Sequence, residues 1–245
     1  MPFRGSRHED RTCTQWNPAR GRQPWEFPAR EQGPGKRDAA RHRAGLAREL
    51  GRRLDARVEL VTFAGAGETA DGAKSGAWDV AFIGAEPQRA EQIAFTPAYL
   101  EIPATYLVPA GSAIQSLADV DRQGVRIAVS ARSAYDLYLS RNLKHAQLVR
   151  AEGIPASYDL FVAQKLDVLA GLLPRLVTDV DRLPGARVLE GKFTAVQQAV
   201  GTAKAREAAA QFLRGFVEDV KASGLVAEAI ARNGVQGVSV APPAR

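Results

Sequence analysis

Val80, Ala81, Phe82 and Ile83 form a continuous apolar run bounded by Asp79 and Gly84. A strand with no polar face has no side to give to water, so the run reads as a parallel strand covered on both faces. Gly84 frees the backbone to turn. Glu86-Pro87-Gln88-Arg89 then places a polar turn at the carboxyl end of the strand, where open α/β sheets put their ligands. A second extended run, Ala104 to Val108, is long enough to leave this sheet and enter another body.

The rest of the chain alternates in the same manner. Leu46, Leu50 and Leu54, with Ala47, share one helical face. Val58 to Phe63 is strand-like, and residues 65–76 hold glycine-rich turns and a short helix. Strands are expected at Arg126–Ser130, Gln147–Arg150, Asp167–Ala170 and Arg187–Leu189. Helices are expected from Ser133 to about Leu143, at Pro155–Gln164, near Pro174–Asp181, at Thr202–Ala222 and from about Leu225 to Asn233, with a loose tail from Val235. Thr194–Val200 is extended. Ser116 and Ser133, each followed three residues later by an aspartate, are helix-start signatures. Alternating strands and helices predict an α/β protein with mainly parallel sheets.

Gly76, Trp78, Asp79, Arg89, Ile93, Phe95, Thr96, Pro97 and Tyr99 stand in an order and spacing that resemble the family 3 extracellular solute-binding proteins of ABC importers, the polar amino-acid-binding kind. The resemblance continues more loosely from about Gly45 to the C-terminus. It implies a type II periplasmic binding protein fold of two lobes joined by a two-strand hinge. Lobe one would comprise residues 44–106 and 199–245, and lobe two residues 107–198. It further implies the solute-binding component of an importer, a monomer in the periplasm. Such a component takes an amino-acid-like carboxylate between its lobes and presents the closed form to an inner-membrane permease. Enzymes of the cyclohexadienyl or arogenate dehydratase type share the fold and are the alternative; they would need an acid in the cleft, for which Glu86 is the one available. A regulatory effector domain is a further alternative, though no helix-turn-helix pattern precedes it.

Arg89 leads the candidate ligand-binding residues. Its planar fork meets a carboxylate in two charge-assisted hydrogen bonds, and the resemblance gives it that role; otherwise it is a surface arginine on an exposed turn. Gly84 and Glu86 line the same turn, Gly84 acting through its backbone. Ser133, as an N-cap, would leave the amides of Ala134 and Tyr135 free to attract an anion, or cap the helix and nothing more. The family's usual glycine before that hydroxyl is here Arg132, which either adds charge or obstructs the turn. Where the family has an acid for the ligand's ammonium group, this chain has Gly171-Leu172-Leu173, so a carboxylate without an ammonium enters consideration. Asp167, at the other end of that strand, reads as structural. Trp78 and Tyr99 read as core.

Residues 1–43 contain no Leu, Ile, Val or Tyr but hold five prolines and ten of the chain's 33 basic residues. Such a segment cannot bury enough apolar surface to offset its ordering entropy, so a disordered leader is expected. It lacks the apolar stretch of a secretion signal. It also cannot supply the family's first strand, which is expected to be missing from lobe one. Its Arg/Pro/Gly-rich character suits out-of-frame reading of a GC-rich gene, with a wrong start or frameshift near Arg43. The net charge of +6 sits almost wholly in this segment, which argues against a nucleic-acid surface on the folded body. One cysteine and three scattered histidines offer no metal spacing, no hydrolase constellation and no disulfide. No cofactor is expected.

Overall fold

The computed structural model describes residues 34–232 and 237–244. Helix α1 spans Pro34–Arg53. It takes in the last part of the expected leader, residues 34–43; the remainder of that expectation lies outside the described residues. Leu46, Ala47 and Leu50 are buried as the helical spacing predicts. The Val58–Phe63 segment is not a strand. It forms no ladder, and Leu60 and Val61 are 42% and 50% exposed. Its β-branched composition suits a pleated surface, but no neighbouring strand pairs with it among the described residues, and propensity without a partner does not make a strand.

After α2 (Ala66–Ser75), strand β1 (Ala81–Gly84) pairs antiparallel with β7 (Thr194–Ala203), and β1 ends the strand order as an edge. The expectation of a parallel strand is therefore corrected. The sheet is mixed, in the order β1-β7-β2-β5-β3-β4, and parallel pairing is confined to β3 (Arg126–Ser130) with β4 (Gln147–Ala151) and β5 (Val168–Leu172). The cause is β2 (Ile93–Val108), a 16-residue strand whose residues take part in two separate cores. Its first part pairs antiparallel with β7, and its last residues pair with β5 and with β6 (Arg187–Val188). Proline 97 falls in the register shift between Phe95 and Ala98, where its missing N–H breaks no regular ladder.

Period-two alternation organises the β3–β5 end. Tyr106, Val108, Ile127, Val129, Val168 and Ala170 face one way, onto Leu139 of α3 (Ala134–Asn142). Leu107, Ala128 and Leu169 face the other way, onto Tyr158 and Phe161 of α4 (Ile154–Ala163) and Leu176 of α5 (Leu173–Val180). Each fully buried aliphatic chain contributes about 1.5–3 kcal/mol. At the other end Tyr99, Leu100, Ile102 and Val200 pack with Leu46 and Leu50 and with Leu213, Phe216, Val217 and Val220 of α6 (Glu207–Ala222), and α7 (Leu225–Arg232) closes that core through Val226. Helix α6 starts later than Thr202 because β7 continues to Ala203, held by pairing of Gly201 with Phe95 and Thr202 with Ala94. The tail is not wholly loose: β8 (Ser239–Val240) pairs with Leu100 and Glu101. No described helix is long and apolar enough to cross a membrane.

Candidate functional site

Arg89 opens a short 3₁₀ helix, Arg89–Glu91, just after β1. It is 5% exposed, so the exposed-turn expectation does not hold. The preceding turn folds inward: the Arg89 amide donates to the Glu86 carbonyl at 2.9 Å. Its guanidinium then donates from Nη1 to the Gly84 carbonyl at 2.6 Å and from Nη2 to the Arg132 carbonyl at 2.8 Å. No carboxylate lies within ion-pair distance among the described residues. Burial pulls its pKa down to about 10, with Glu86 opposing and Arg132 adding to that fall. It remains cationic at neutral pH.

Arg132 lies on the opposite side, between β3 and α3. Its φ of 56° is left-handed, a region where glycine is at ease and arginine is not. The turn is formed with Arg132 in it, its carbonyl directed at Arg89. Its side chain reaches back to the β1 end, where Nη1 and Nη2 grip Asp71 of α2 at 2.8 and 2.7 Å and Nη2 also donates to the Gly67 carbonyl at 3.3 Å. A side chain at Gly67 would meet Arg132 at 2.9 Å, so the glycine-rich turn makes room for this arginine. A second pair joins the same two sides: Arg141 of α3 donates to Glu86 at 2.6 Å.

Ser133 caps α3 by accepting from the Asp136 amide at 3.1 Å. The first amides of the helix, those of Ala134 and Tyr135, have no acceptor among the described residues. The Tyr135 side chain is core. Burial pushes its phenol up to about 12, although Ser133 and Ser130 hydrogen-bond to it. Asp136, also buried, accepts from the Arg132 amide at 2.7 Å and from Arg150 Nε at 2.9 and 3.2 Å. The Ser133-x-x-Asp136 spacing gave the cap, but nothing in the sequence joined Asp136 to Arg150 or Asp71 to Arg132.

Gly84, Glu86, Arg89, Ser133 and Ala134 are thus brought together, and the two ends of the molecule touch through them. A Cβ at Gly84 would sit 3.2 Å from Ala134 Cβ and 2.8 Å from Val196 Cγ1. Leu172 packs against the core that holds Ala134 and Val196. It stands opposite Ala104 where β5 ends and packs against the cores of both ends. Trp78 and Tyr99 are buried in the core, His145 is exposed, and Asp167 accepts from the Arg126 amide at 2.8 Å as a structural residue. No cluster of His, Cys, Asp or Glu among the described residues is placed to hold a metal.

Two expectations follow from these contacts. Gly84→Ser should wedge the two sides apart, because overpacking of this kind costs about 1–3 kcal/mol. Solution scattering should show a larger radius of gyration than for the unaltered chain. The exposed Asp71–Arg132 pair should couple by only about 0.2–1 kcal/mol in a double-mutant cycle, and the coupling should fade with salt.

A buried guanidinium faced by a helix N-terminus, in a molecule whose two cores are joined by the long strands β2 and β7, fits the type II periplasmic binding protein fold. The chain belongs to the bacterial extracellular solute-binding proteins, family 3, which it matches over residues 42–234. Solved structures of the same fold include the solute receptor for L-cysteine of Neisseria gonorrhoeae, at 18% identity with 80% of this chain and 82% of that one covered and a TM-score of 0.68. An amino acid ABC transporter substrate-binding protein of Streptococcus pneumoniae, bound to L-arginine, matches at 17% identity, 78% and 82% coverage and a TM-score of 0.67. An ancestral amino acid-binding protein described as a precursor of cyclohexadienyl dehydratase matches at 17% identity, 78% and 83% coverage and a TM-score of 0.66. No curated protein matches the chain.

Proposed function

We propose that the chain is the solute-binding component of an ABC importer, working in the periplasm and delivering a small carboxylate-bearing solute of amino-acid size to an inner-membrane permease. The observation that carries the reading is Arg89: a buried cation whose guanidinium donates, among the described residues, to two backbone carbonyls, Gly84 O and Arg132 O, and to no carboxylate. A charge removed from water without a counter-ion is costly, and a carboxylate that accepts from the guanidinium recovers that cost. The free amides of Ala134 and Tyr135 attract the same anion from the other side.

The mechanism is hinge closure. Residues 44–106 and 199–245 form one lobe and 107–198 the other, with β2 and β7 as the connections. Ligand favours the closed arrangement because both lobes contribute to its site. The ligand carboxylate takes Nη2 from the Arg132 carbonyl. Binding rather than catalysis suits the cleft, since Glu86, the acid a dehydratase would use, is held by Arg141. Titration calorimetry with a panel of small carboxylates tests the reading: saturable one-to-one binding is expected, and a panel with no binder would contradict it.

A further inference from the structure

Resting on the carboxylate reading of Arg89, we propose that the cleft selects a small 2-hydroxy carboxylate over the amino acid of the same skeleton. The argument is one of charge. An α-ammonium group carried into a closed cleft needs an anionic partner, or it bears most of its desolvation cost. The acids that flank Arg89 are already committed. Glu86 holds Arg141, and both oxygens of Asp71 hold Arg132. Asp136 is shared by Arg150 and the Arg132 amide. Glu68 accepts from the Ala64 amide at 2.9 Å, and with Glu152 it bears on Arg132 rather than on Arg89. The end of β5 offers only Gly171, Leu172 and Leu173. One monoanion therefore balances Arg89, and among the described residues no carboxylate beside it is left over for a cation.

A neutral acceptor is left over. Gln198 stands directly opposite Gly84 in the β1–β7 register. Residues directly opposed in an antiparallel pair point to the same face, and at Gly84 that face looks onto Ala134 and the Arg89 guanidinium. Gln198 is buried, and its Oε1 has no hydrogen-bond partner among the described residues. A buried acceptor without a donor is unfavourable. A hydroxyl beside the ligand carboxylate supplies one donor and brings no charge, whereas a neutral amide oxygen does not offset an ammonium.

Calorimetry should compare the common amino acids with the 2-hydroxy acids and plain alkanoates of the same skeletons, on the full chain and on Arg89→Ala, Gln198→Leu and Gln198→Glu. For the skeleton that binds tightest, the hydroxy acid should exceed the amino acid by roughly tenfold or more, the ratio that about 1.4 kcal/mol produces. Gln198→Leu should weaken the hydroxy acid toward the alkanoate and leave the alkanoate itself unchanged. Gln198→Glu should restore preference for the amino acid. An amino acid that binds as tightly as its hydroxy counterpart, in an Arg89-dependent manner, overturns this proposal and leaves the carboxylate reading standing. Absence of any Arg89-dependent binding overturns both.

Discussion

Arg89→Ala should lose carboxylate binding by about 2–5 kcal/mol, roughly thirtyfold to several thousandfold in affinity, with a measurable loss of stability besides. The first effect follows from geometry: among the described residues the buried guanidinium has no carboxylate within ion-pair distance, and carbonyls from both sides address it. The second follows from burial. Removing the side chain leaves the carbonyls of Gly84 and Arg132 without these donors, each worth about 1–3 kcal/mol if it stays unsatisfied, against which stands the relief of a desolvated charge. A net loss of about 1 kcal/mol is expected in urea denaturation. Arg89→Lys should fall between, because an ammonium keeps the charge but not the fork. Wild-type affinity in the alanine variant, read by calorimetry, would remove Arg89 from the site.

Asp136→Ala should be the most destabilising single change around the cleft. Its carboxylate is buried and receives the Arg132 amide and the Arg150 guanidinium, while its own amide is fixed by Ser133. Breaking such a network by removing one partner costs about 3–5 kcal/mol when the other charge is buried too. Arg150 is partly exposed and can reach water, so about 3 kcal/mol is expected here. For a chain of this size that is roughly 6–12 °C in melting temperature. The turn that positions Arg132 should also loosen, so ligand affinity should fall with it. Asp136→Asn keeps an acceptor and should lose less. A melting temperature unchanged in Asp136→Ala would show that the turn is held by packing alone.

Much of the fold was legible because its middle is built from short, self-punctuated pieces. Arg126–Ser130 is bounded by Gly124 and the Ser133 cap, and it forms the strand its residues predict. The neighbouring elements through α5 fall close to their expected limits for the same reason. Misreadings occur where a distant partner decides. Val58–Phe63 has strand composition and no ladder. Thr202, read as the start of a helix, is held in β7 by Ala94, more than a hundred positions earlier. The edge position of β1 and its antiparallel pairing are likewise invisible in an apolar run of four residues. In the cleft, the motif pointed to Arg89 and the cap pointed to Ser133. Their surroundings did not show, because Asp71–Arg132 and Glu86–Arg141 join residues 61 and 55 positions apart with no spacing rule to announce them. The burial of Arg89 was missed on the same account: Glu86-Pro87-Gln88-Arg89 reads as a surface turn until Arg132 closes over it.

The central claim, that the two sides of the molecule close on a carboxylate at Arg89, is tested most directly by a crystal structure of the chain with its tightest-binding carboxylate. The account predicts both carboxylate oxygens within about 3 Å of the Arg89 guanidinium, with the Arg132 carbonyl displaced from Nη2 and an amide of Ala134 or Tyr135 donating to the ligand. A ligand seated elsewhere, with Arg89 still donating to Gly84 and Arg132, would contradict it.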